Sequence, residues 1–387
     1  MTATPTLEGV RHLAPLVEPG PALTSEQVSR YSRHLLVPGM GLEAQRRLLN
    51  ARVAVVGAGG LGSPILSYLA AAGTGHLTII DDDVIDATNL QRQVVHRHDD
   101  LGRGKGDSAA DHVRGLNPDV SVEVRRTRIT AENATELLAG HDLVLDGADN
   151  FPTRYAVSDA CTDLRIPVVW AAVLRFDAQV STFVPGGDDA VTLRDLFPVP
   201  PRPEDVPSCS EAGVLGALVG QVGSIMAGEA VKLICGFGEP LVGRVLLVDA
   251  LSQRVREIPL RPVGAVIHQP AHEPVREMVP LVEVSAVEVA EELAREQAPV
   301  VIDVREPAEH ALGTVPGAVT VPVGEVLTWD ELLGQVPDGP VVVYCKTGPR
   351  ARRAAAHLVK IGHPDVRVMT GGMLAWVEHV DPSLPSY

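Results

Sequence analysis

Short apolar runs alternate with longer amphipathic stretches along most of this chain. The runs Arg52–Val56 and His76–Ile80 are rich in valine, leucine and isoleucine, and a segment with helical spacing lies between them. Strands that alternate with helices in this way form parallel sheets. The alternation fades near residue 260 and restarts after residue 281. We therefore predict an α/β fold with two separate sheets.

The same criteria predict the remaining elements. Further strands are expected at 120–124, 141–146, 167–172, 177–184, 244–249, 254–260, 299–304 and 340–344, and helices at 63–72, 108–116, 132–139, 215–235, 285–295 and 350–361. Thr24 and Gln27 form a capping-box signal for a helix that continues through 30–34. The proline-rich stretch 185–207 is expected to be a loop without a core of its own.

Composition marks the domain boundaries. Residues 1–23 are rich in threonine, proline and glycine and lack the basic start and apolar core of a secretory signal, so we expect a flexible leader. Residues 261–280 are proline-rich and aperiodic, which is typical of a semi-stiff linker. We therefore predict a first domain over 24–260 and a second over 281–387, which is long enough to fold by itself.

The overall composition excludes several classes of protein. Of 387 residues, 45% are hydrophobic and 21% are charged, which is typical of a globular chain. A net charge of −16 and an aromatic content of 3% disfavour nucleic-acid binding, which needs basic and stacking side chains. The sequence contains no run of 18 apolar residues, so no membrane span is predicted. We expect a cytoplasmic protein.

The four cysteines stand alone in the sequence. Cys161, Cys209, Cys235 and Cys345 form no C-x-x-C pair, and their spacing suits neither a disulfide framework nor a zinc ribbon. Cys161 and Cys235 lie in apolar helical segments and are expected in the core.

A glycine-rich turn after the run 52–56 predicts a nucleotide site. Gly57, Gly59 and Gly62 have the spacing G-x-G-x-x-G and precede a helical segment. Glycines at a strand-to-helix turn let the backbone approach a phosphate, and the helix start supplies free N–H groups. Asp81 follows the second strand, 24 residues after Gly57, where an acidic side chain takes a ribose in such folds.

Two basic residues narrow the choice of nucleotide. Arg92 and Lys105 follow the second strand. Cleavage of the α–β bond of ATP needs such cations, because charge builds up on the phosphoryl oxygens and on pyrophosphate. Hydride transfer has no evident need for them. An NAD-dependent oxidoreductase with an appended domain remains an alternative.

The motifs of the first domain together resemble the MoeB/ThiF family over residues 24–260. They are Gly57, Gly59, Gly60 and Gly62; Asp81 and Asp83; Asn89, Arg92 and Gln93; Lys105; and Asp149 with Asn150. The resemblance implies a Rossmann-like domain of the ubiquitin-activating type that uses ATP and Mg²⁺. It also implies adenylation of the C-terminal carboxylate of a small ubiquitin-like sulfur carrier protein of the MoaD/ThiS type, ending in Gly-Gly.

The resemblance also implies roles for particular residues. Arg33, on a basic segment whose alternative interpretation is a solvated face, would reach the ATP phosphates of a partner subunit in a homodimer. Asp149 ends a predicted strand, where ligands of open α/β sheets bind, and would hold Mg²⁺ with ATP. Its alternative role is to cap the following helix. Many relatives hold a structural zinc with two C-x-x-C pairs; this chain lacks both, so we expect no zinc.

Cys209 is a candidate for a chemical role. It lies in a polar Ser-Cys-Ser-Glu setting at the end of the proline-rich loop, before a helix start that would lower a thiol pKa. The alternative is a small buried hydrophobic residue, the common fate of a free cysteine. The segment matches the position at which the MoeB/ThiF family carries a conserved cysteine.

The second domain resembles a single-domain rhodanese, a sulfurtransferase, over residues 281–387. The matching segments are 303–306, Glu309 with His310, 313–318, 345–350 and 371–376. Cys345 lies between a buried strand and a helix, and Lys346 and Arg350 add positive charge that favours a thiolate and then a persulfide. Arg350 ends a six-residue loop, one residue shorter than the C-x5-R loop of related phosphatases. A phosphatase and a structural cysteine are the alternatives.

A chain with both domains resembles MoeZ-type fusions of an adenylyltransferase with a sulfurtransferase. The resemblance implies that a Cys345 persulfide attacks the acyl-adenylate to give a thiocarboxylate, with Cys209 or an external thiol as the resolving thiol. A cysteine desulfurase or thiosulfate would supply the sulfur. Molybdenum cofactor, thiamin and cysteine biosynthesis and tRNA thiolation all remain open, and a non-catalytic carrier-binding scaffold is a further alternative.

Overall fold

The computed structural model describes residues 14–186, 190–201, 213–262, 281–295, 297–329 and 339–385. These residues divide into two compact units, one before and one after the gap at 263–280. Cys209, the first 13 residues and most of the predicted linker lie outside the described residues. Each unit is an α/β structure with its own sheet, so the predicted fold class is confirmed.

Eight strands of the first unit form one sheet within the described residues. They are β1 (Arg52–Val56), β2 (His76–Ile80), β3 (Ser121–Arg125), β4 (Leu143–Asp146), β5 (Val168–Leu174), β6 (Asp177–Phe183), β7 (Arg244–Asp249) and β8 (Arg254–Pro259). Their order is β3-β2-β1-β4-β5-β6-β7-β8. Along this order, the strands from β3 to β5 pair in parallel and those from β5 to β8 pair in antiparallel fashion. The carboxyl ends of the parallel strands thus share one edge, where ligands of such sheets bind.

Helices cover both faces of this sheet. They are α1 (Ser25–Arg30), α2 (Ser32–Leu35), α3 (Gly41–Asn50), α4 (Gly62–Ala72), α5 (Lys105–Leu116), α6 (Ala134–Leu138), α7 (Phe151–Leu164), α8 (Leu193–Leu196) and α9 (Gly216–Cys235). Helix α9 is long and apolar enough to cross a membrane by length and composition alone. However, it packs against α3, α4 and β5, and Val222, Met226 and Ile234 are fully buried, so it is a core helix.

Three predictions for this unit need correction. The basic segment is not one helix, because Tyr31 separates α1 from α2. Helix α5 begins at Lys105 rather than at residue 108. The stretch 185–207 does contribute to the core, because Val191 and Leu193 are buried and Leu193 begins α8. Thr192 starts that helix with a capping box, a local signal that the proline content of the stretch obscures.

The second unit is built on a five-stranded parallel sheet in its described part. Its elements are β9 (Val282–Val284), α10 (Ala286–Leu293), β10 (Val300–Asp303), α11 (Pro307–His310), β11 (Val319–Thr320), α12 (Val323–Val326), β12 (Val341–Tyr344), α13 (Pro349–Lys360), β13 (Val366–Met369) and α14 (Gly372–His379). The strand order is β11-β10-β12-β13-β9. Buried valines and Ile302, on the two faces of β10 and β12, contribute to the two cores of this unit. Cys345 directly follows the central strand β12.

Candidate active sites

The glycine-rich turn between β1 and α4 is sterically fixed. Gly57 has a φ of +85°, in the left-handed region that favours glycine. A Cβ on Gly62 would lie 2.0 Å from the carbonyl oxygen of Gly57, and one on Gly60 would lie 2.7 Å from Val219 Cγ1. By contrast, a Cβ on Gly59 would meet its nearest atom at an ordinary 3.5 Å. Packing within the described chain therefore explains three glycines, and Gly59 leaves room in front of the turn.

The carboxylates after β2 connect this turn to the start of α5. Asp81 accepts hydrogen bonds from the N–H groups of Ala58 (2.8 Å) and Asp83 (2.9 Å), and burial raises the pKa of its carboxyl group. Asp83 accepts a hydrogen bond from Lys105 Nζ at 2.9 Å. The Lys105 side chain is 9% exposed, whereas that of Asp83 is 55% exposed. Asp81 thus supports the turn from inside, and Asp83 offers its carboxylate at the surface.

A buried histidine that the sequence analysis missed joins the turn to α5. His96 Nε2 lies 2.9 Å from the carbonyl oxygen of Ala58, to which it donates, and Nδ1 lies 3.0 Å from Ser108 Oγ. Ser108, in the first turn of α5, also contacts a carboxylate oxygen of Asp100 at 3.0 Å. Burial lowers the pKa of His96, so the ring is neutral at neutral pH. The partners lie 38 and 12 residues away, and no local pattern predicts them.

The predicted Asn89–Gln93 segment folds back on itself beside the glycine turn. The N–H groups of Arg92 and Gln93 both donate to the carbonyl oxygen of Asn89 at 3.0 Å. Arg92 is half-buried, and its guanidinium donates to the Thr88 carbonyl at 3.1 Å. Gln93 is buried next to Gly59, and its Oε1 has no hydrogen-bond partner within the described residues. A buried polar atom is normally satisfied, so this amide is a candidate contact for a bound nucleotide.

The ends of β1 and β4 meet at the carboxyl edge of the sheet. A Cβ on Gly57 would lie 3.2 Å from the carbonyl oxygen of Gly147, which follows β4. Asn150 Oδ1 accepts the N–H of Thr153 at 3.0 Å and is therefore the N-cap of α7. Asp149 is exposed and is not needed for that cap, so the helix cap predicted for the Asp149–Asn150 pair is made by Asn150.

Asp149 fits the demands of Mg²⁺ that accompanies a nucleotide. Mg²⁺ prefers one or two carboxylates combined with phosphate oxygens and water. An exposed carboxylate two residues beyond the β1–β4 contact supplies such a ligand. In the described part of the chain, no group of three or more histidine, cysteine or acidic side chains is arranged to hold a metal ion by protein ligands alone.

Arg33 extends from a segment that is anchored by its neighbour. Tyr31 is buried; its hydroxyl donates to Asp119 at 3.1 Å and accepts from Asn117 at 2.9 Å. Burial raises the pKa of Tyr31 to about 12. Arg33 is exposed and has no ion pair among the described residues. The predicted role of Arg33 toward a partner subunit remains a prediction.

In the second unit, Cys345 lies at the strand-to-helix turn that the sequence predicts. Its Sγ is buried and accepts the N–H of Gly348 at 3.0 Å. Gly348 has a φ of +129° and is the N-cap of α13, so the sulfur faces the positive end of a 12-residue helix. This amide and the helix dipole both place positive partial charge beside the sulfur.

Helix α14 closes the other side of the Cys345 loop. The N–H of Met373 donates to the carbonyl of Cys345 at 2.8 Å, and that of Leu374 donates to Lys346 at 3.2 Å. A Cβ on Gly372 would lie 2.2 Å from the same Cys345 oxygen, and its φ is +57°. The closing Gly-Gly-Met segment is therefore the clamp that fixes the loop.

The loop is also tied to two ion pairs. Arg350 donates from both terminal nitrogens to Glu309, at 2.5 and 2.8 Å. Below the loop, the fully buried Arg305 pairs with Asp303, and the Tyr344 hydroxyl donates to Asp303 at 2.6 Å. Arg350, which the sequence analysis places beside Cys345 as a positive charge, is thus held by a carboxylate, and its role toward the sulfur remains a prediction.

Two family models match the chain and together cover both units. The ThiF family model matches residues 31–264, and the rhodanese-like domain model matches residues 285–379. The probable adenylyltransferase/sulfurtransferase MoeZ of Mycobacterium tuberculosis is 42% identical over 97% of this chain and 99% of that protein. The chain belongs to the ThiF family. It is an adenylyltransferase and sulfurtransferase. Its domain order and length are those of the MoeZ relative.

Other relatives of this ThiF family member share one or both domains. Adenylyltransferase and sulfurtransferase MOCS3 of Drosophila sechellia is 36% identical over 94% of this chain and 86% of that protein. The SAMP-activating enzyme E1 of Haloferax volcanii is 50% identical over 62% of this chain and 88% of that protein. Among solved structures, the microcin C7 biosynthetic enzyme MccB in complex with N-formylated MccA has a TM-score of 0.55 at 22% identity over 62% of this chain and 74% of that one, which shows a shared fold.

Proposed function

We propose that the first unit adenylates the C-terminal carboxylate of a small ubiquitin-like sulfur carrier protein and that Cys345 then delivers sulfur to it as a thiocarboxylate. The observation that carries the first step is the chain of contacts from the glycine turn through Asp81 and Asp83 to the buried ammonium of Lys105. A buried cation at a phosphate turn stabilises charge that develops on a leaving pyrophosphate. Relatives named as acting on sulfur carriers and SAMP support the choice of acceptor.

In the first step, the carrier carboxylate attacks the α-phosphorus of ATP, and pyrophosphate leaves. The glycine turn and the N-terminus of α4 hold the phosphates, and Arg92, Lys105 and Arg33 of a second copy neutralise their charge. The sequence analysis assigns the ribose to Asp81, but both carboxylate oxygens of Asp81 accept backbone N–H groups, so we assign the ribose hydroxyls to the exposed Asp83. Asp149 would hold Mg²⁺, which neutralises phosphate charge when bound. The products are the acyl-adenylate and pyrophosphate.

In the second step, the terminal sulfur of a Cys345 persulfide attacks the acyl carbon and AMP leaves. A thiolate then attacks Cys345 Sγ, so the carrier departs as a thiocarboxylate and a disulfide remains on Cys345. Cys209, which lies outside the described residues, or an external thiol fills this role. A cysteine desulfurase or thiosulfate supplies the sulfur, and the reaction takes place in the cytoplasm.

The test is ATP–pyrophosphate exchange with purified protein and a panel of carriers ending in Gly-Gly. We expect exchange only with the matching carrier, and we expect Asp149→Ala to lower it about a hundredfold or more because the carboxylate that would hold Mg²⁺ beside the phosphates is lost. The matched control is Asp142→Ala, which removes a carboxylate that accepts the backbone N–H of Arg52. Exchange that is independent of every carrier, or equal in both variants, would refute the proposed first step.

A further inference from the structure

The charge of Arg350 is cancelled in the structure. Its two terminal nitrogens donate to the two carboxylate oxygens of Glu309, at 2.5 and 2.8 Å, and the side chains are only 10% and 11% exposed. A bidentate pair shielded from water keeps its geometry and attracts a third charge weakly, because it presents a dipole rather than a net charge. The loop therefore offers an anion less attraction than its sequence indicates.

Glu309 is itself fixed as a carboxylate. Its Oε2 accepts the N–H of Glu306 at 2.9 Å, which closes the capping box of α11. Burial raises the pKa of Glu309, but hydrogen bonds from Arg350 and from the Glu306 N–H, together with the charge of Arg305, outweigh it, so the pKa lies below its usual value. The negative charge beside the loop is thus permanent near neutral pH.

Sulfane sulfur reaches a thiolate from donors of different charge. With thiosulfate, the Cys345 thiolate attacks the outer sulfur, the S–S bond breaks, and sulfite leaves with two negative charges. With a persulfide R–S–SH, the thiolate attacks the terminal sulfur and RS⁻ leaves. Both steps give a Cys345 persulfide without an added oxidant or reductant. Only the first step brings a dianion to the loop.

We propose that Glu309 is a specificity-determining residue: by cancelling the charge of Arg350, it makes Cys345 discriminate against dianionic donors and favour a persulfide whose leaving group carries less charge. Glu309 acts through Arg350 and is not itself a catalytic residue. The inference rests on the sulfur transfer proposed for Cys345 and adds the class of donor to it.

The experiment compares two donors on the full-length protein. Loading of Cys345 is followed by mass spectrometry with thiosulfate and with a neutral persulfide, that of N-acetylcysteamine, and the readout is the ratio of the two second-order rate constants. Glu309→Gln keeps an oxygen acceptor for the Glu306 N–H but removes the negative charge that pairs with Arg350. We expect the thiosulfate-to-persulfide ratio to rise about tenfold, the effect of one charge-assisted contact.

Two further variants separate this role from a structural one. Glu292→Gln weakens an equally bidentate pair with Arg367, at 2.9 and 2.7 Å, on α10 and β13, and should leave the ratio unchanged. Arg350→Gln leaves the Glu309 charge uncancelled and should lower the ratio. If Glu309→Gln does not fold, Arg350→Gln decides the question by the direction of its change.

The outcomes distinguish the two proposals. A ratio that both Glu309→Gln and Arg350→Gln leave unchanged, or one that Glu292→Gln changes equally, overturns the specificity role while sulfur transfer stands. If neither donor loads Cys345 in the unmodified protein, the proposed sulfur transfer itself fails, and the inference about Glu309 fails with it.

Discussion

Each unit places a cation beside its reactive turn, but the two ion pairs differ in access. In the first unit, Lys105 is buried while its partner Asp83 is 55% exposed, so a nucleotide can reach the pair from the carboxylate side. In the second unit, Arg350 and Glu309 are both about one-tenth exposed, and two hydrogen bonds join their charged groups. The same sequence pattern, a basic residue near a strand-to-helix turn, therefore gives an ion pair with an exposed carboxylate in one unit and an ion pair shielded from water in the other.

The largest effect is expected from Cys345→Ala, which should abolish sulfur transfer and leave adenylation intact. Cys345→Ala removes the sulfur that carries the persulfide, so transfer of sulfane sulfur should fall to background, while ATP–pyrophosphate exchange remains because its residues lie in the other unit. Sulfur transfer to cyanide and exchange are measured on the same preparation. Cys235→Ala, which alters a buried thiol whose pKa is raised to about 12 by burial, is the control and should affect neither reaction. Persisting transfer in Cys345→Ala would remove Cys345 from the mechanism.

A smaller effect is expected from each glycine that fixes a turn. Gly62→Ala would place a Cβ 2.0 Å from the Gly57 carbonyl, and Gly372→Ala would place one 2.2 Å from the Cys345 carbonyl. A displacement of about 1 Å in a reactive turn costs on the order of a hundredfold in rate. We expect Gly62→Ala to impair exchange alone and Gly372→Ala to impair sulfur loading alone.

The controls for these variants are glycines with open surroundings. A Cβ added to Gly115 in α5 or to Gly324 in α12 would have no atom of the described chain within 4 Å beyond its own neighbours. Gly115→Ala and Gly324→Ala should therefore leave both reactions and the thermal unfolding curve nearly unchanged. If Gly372→Ala impairs exchange as strongly as sulfur loading, the two sites are not independent.

The smallest effect is a difference in acid sensitivity. Burial lowers the pKa of His76, His96, His112 and His141, all in the first unit. These rings take up protons more readily in the unfolded chain, so the stability they contribute is lost as pH falls through their unfolded pKa of about 6.5 toward the lower folded values. The buried carboxyl of Asp146, with its pKa raised to about 6, acts in the opposite sense below that pH.

We therefore expect the midpoint of thermal unfolding of the first unit to fall between about pH 7.5 and pH 6, and the fall to be shallower in His96→Gln. Calorimetry measures this midpoint. Each of the two unfolding transitions is assigned to its unit by adding a ligand of that unit and observing which transition shifts. A pH dependence that is identical in His96→Gln and the unmodified chain would show that His96 does not contribute. The rate of ATP–pyrophosphate exchange in His96→Gln tests separately whether the contact of His96 with the glycine turn matters for the reaction.

Local patterns predict much of this molecule. The short apolar runs predict strands of both sheets, the spacing of Gly57, Gly59 and Gly62 predicts the turn between β1 and α4, and the sequence around Cys345 predicts its strand-to-helix turn. Each of these signals lies within a few neighbouring residues. The predicted core positions of Cys161 and Cys235 follow from apolar surroundings in the same way, and both are buried.

Contacts between distant segments could not be predicted in this way. His96 meets Ala58 across 38 residues, and Arg350 meets Glu309 across 41 residues. Such pairs depend on strand order and on the exact ends of helices, which hydrophobic periodicity does not specify. The sequence therefore indicates which charged residues lie near a site, but only the fold shows which of them are neutralised.

The clamp formed by α14 also determines when the sulfur site can form. Met373, whose amide holds the Cys345 carbonyl, follows Cys345 by 28 residues, whereas every predicted nucleotide ligand precedes residue 151. Domains fold as units while the chain is made from its N-terminus. A nascent chain that has emerged only to Lys360 carries the cysteine and its helix but lacks the amides that fix the loop. During biosynthesis the first unit, with its predicted nucleotide site, is therefore complete before the loop of Cys345 is fixed.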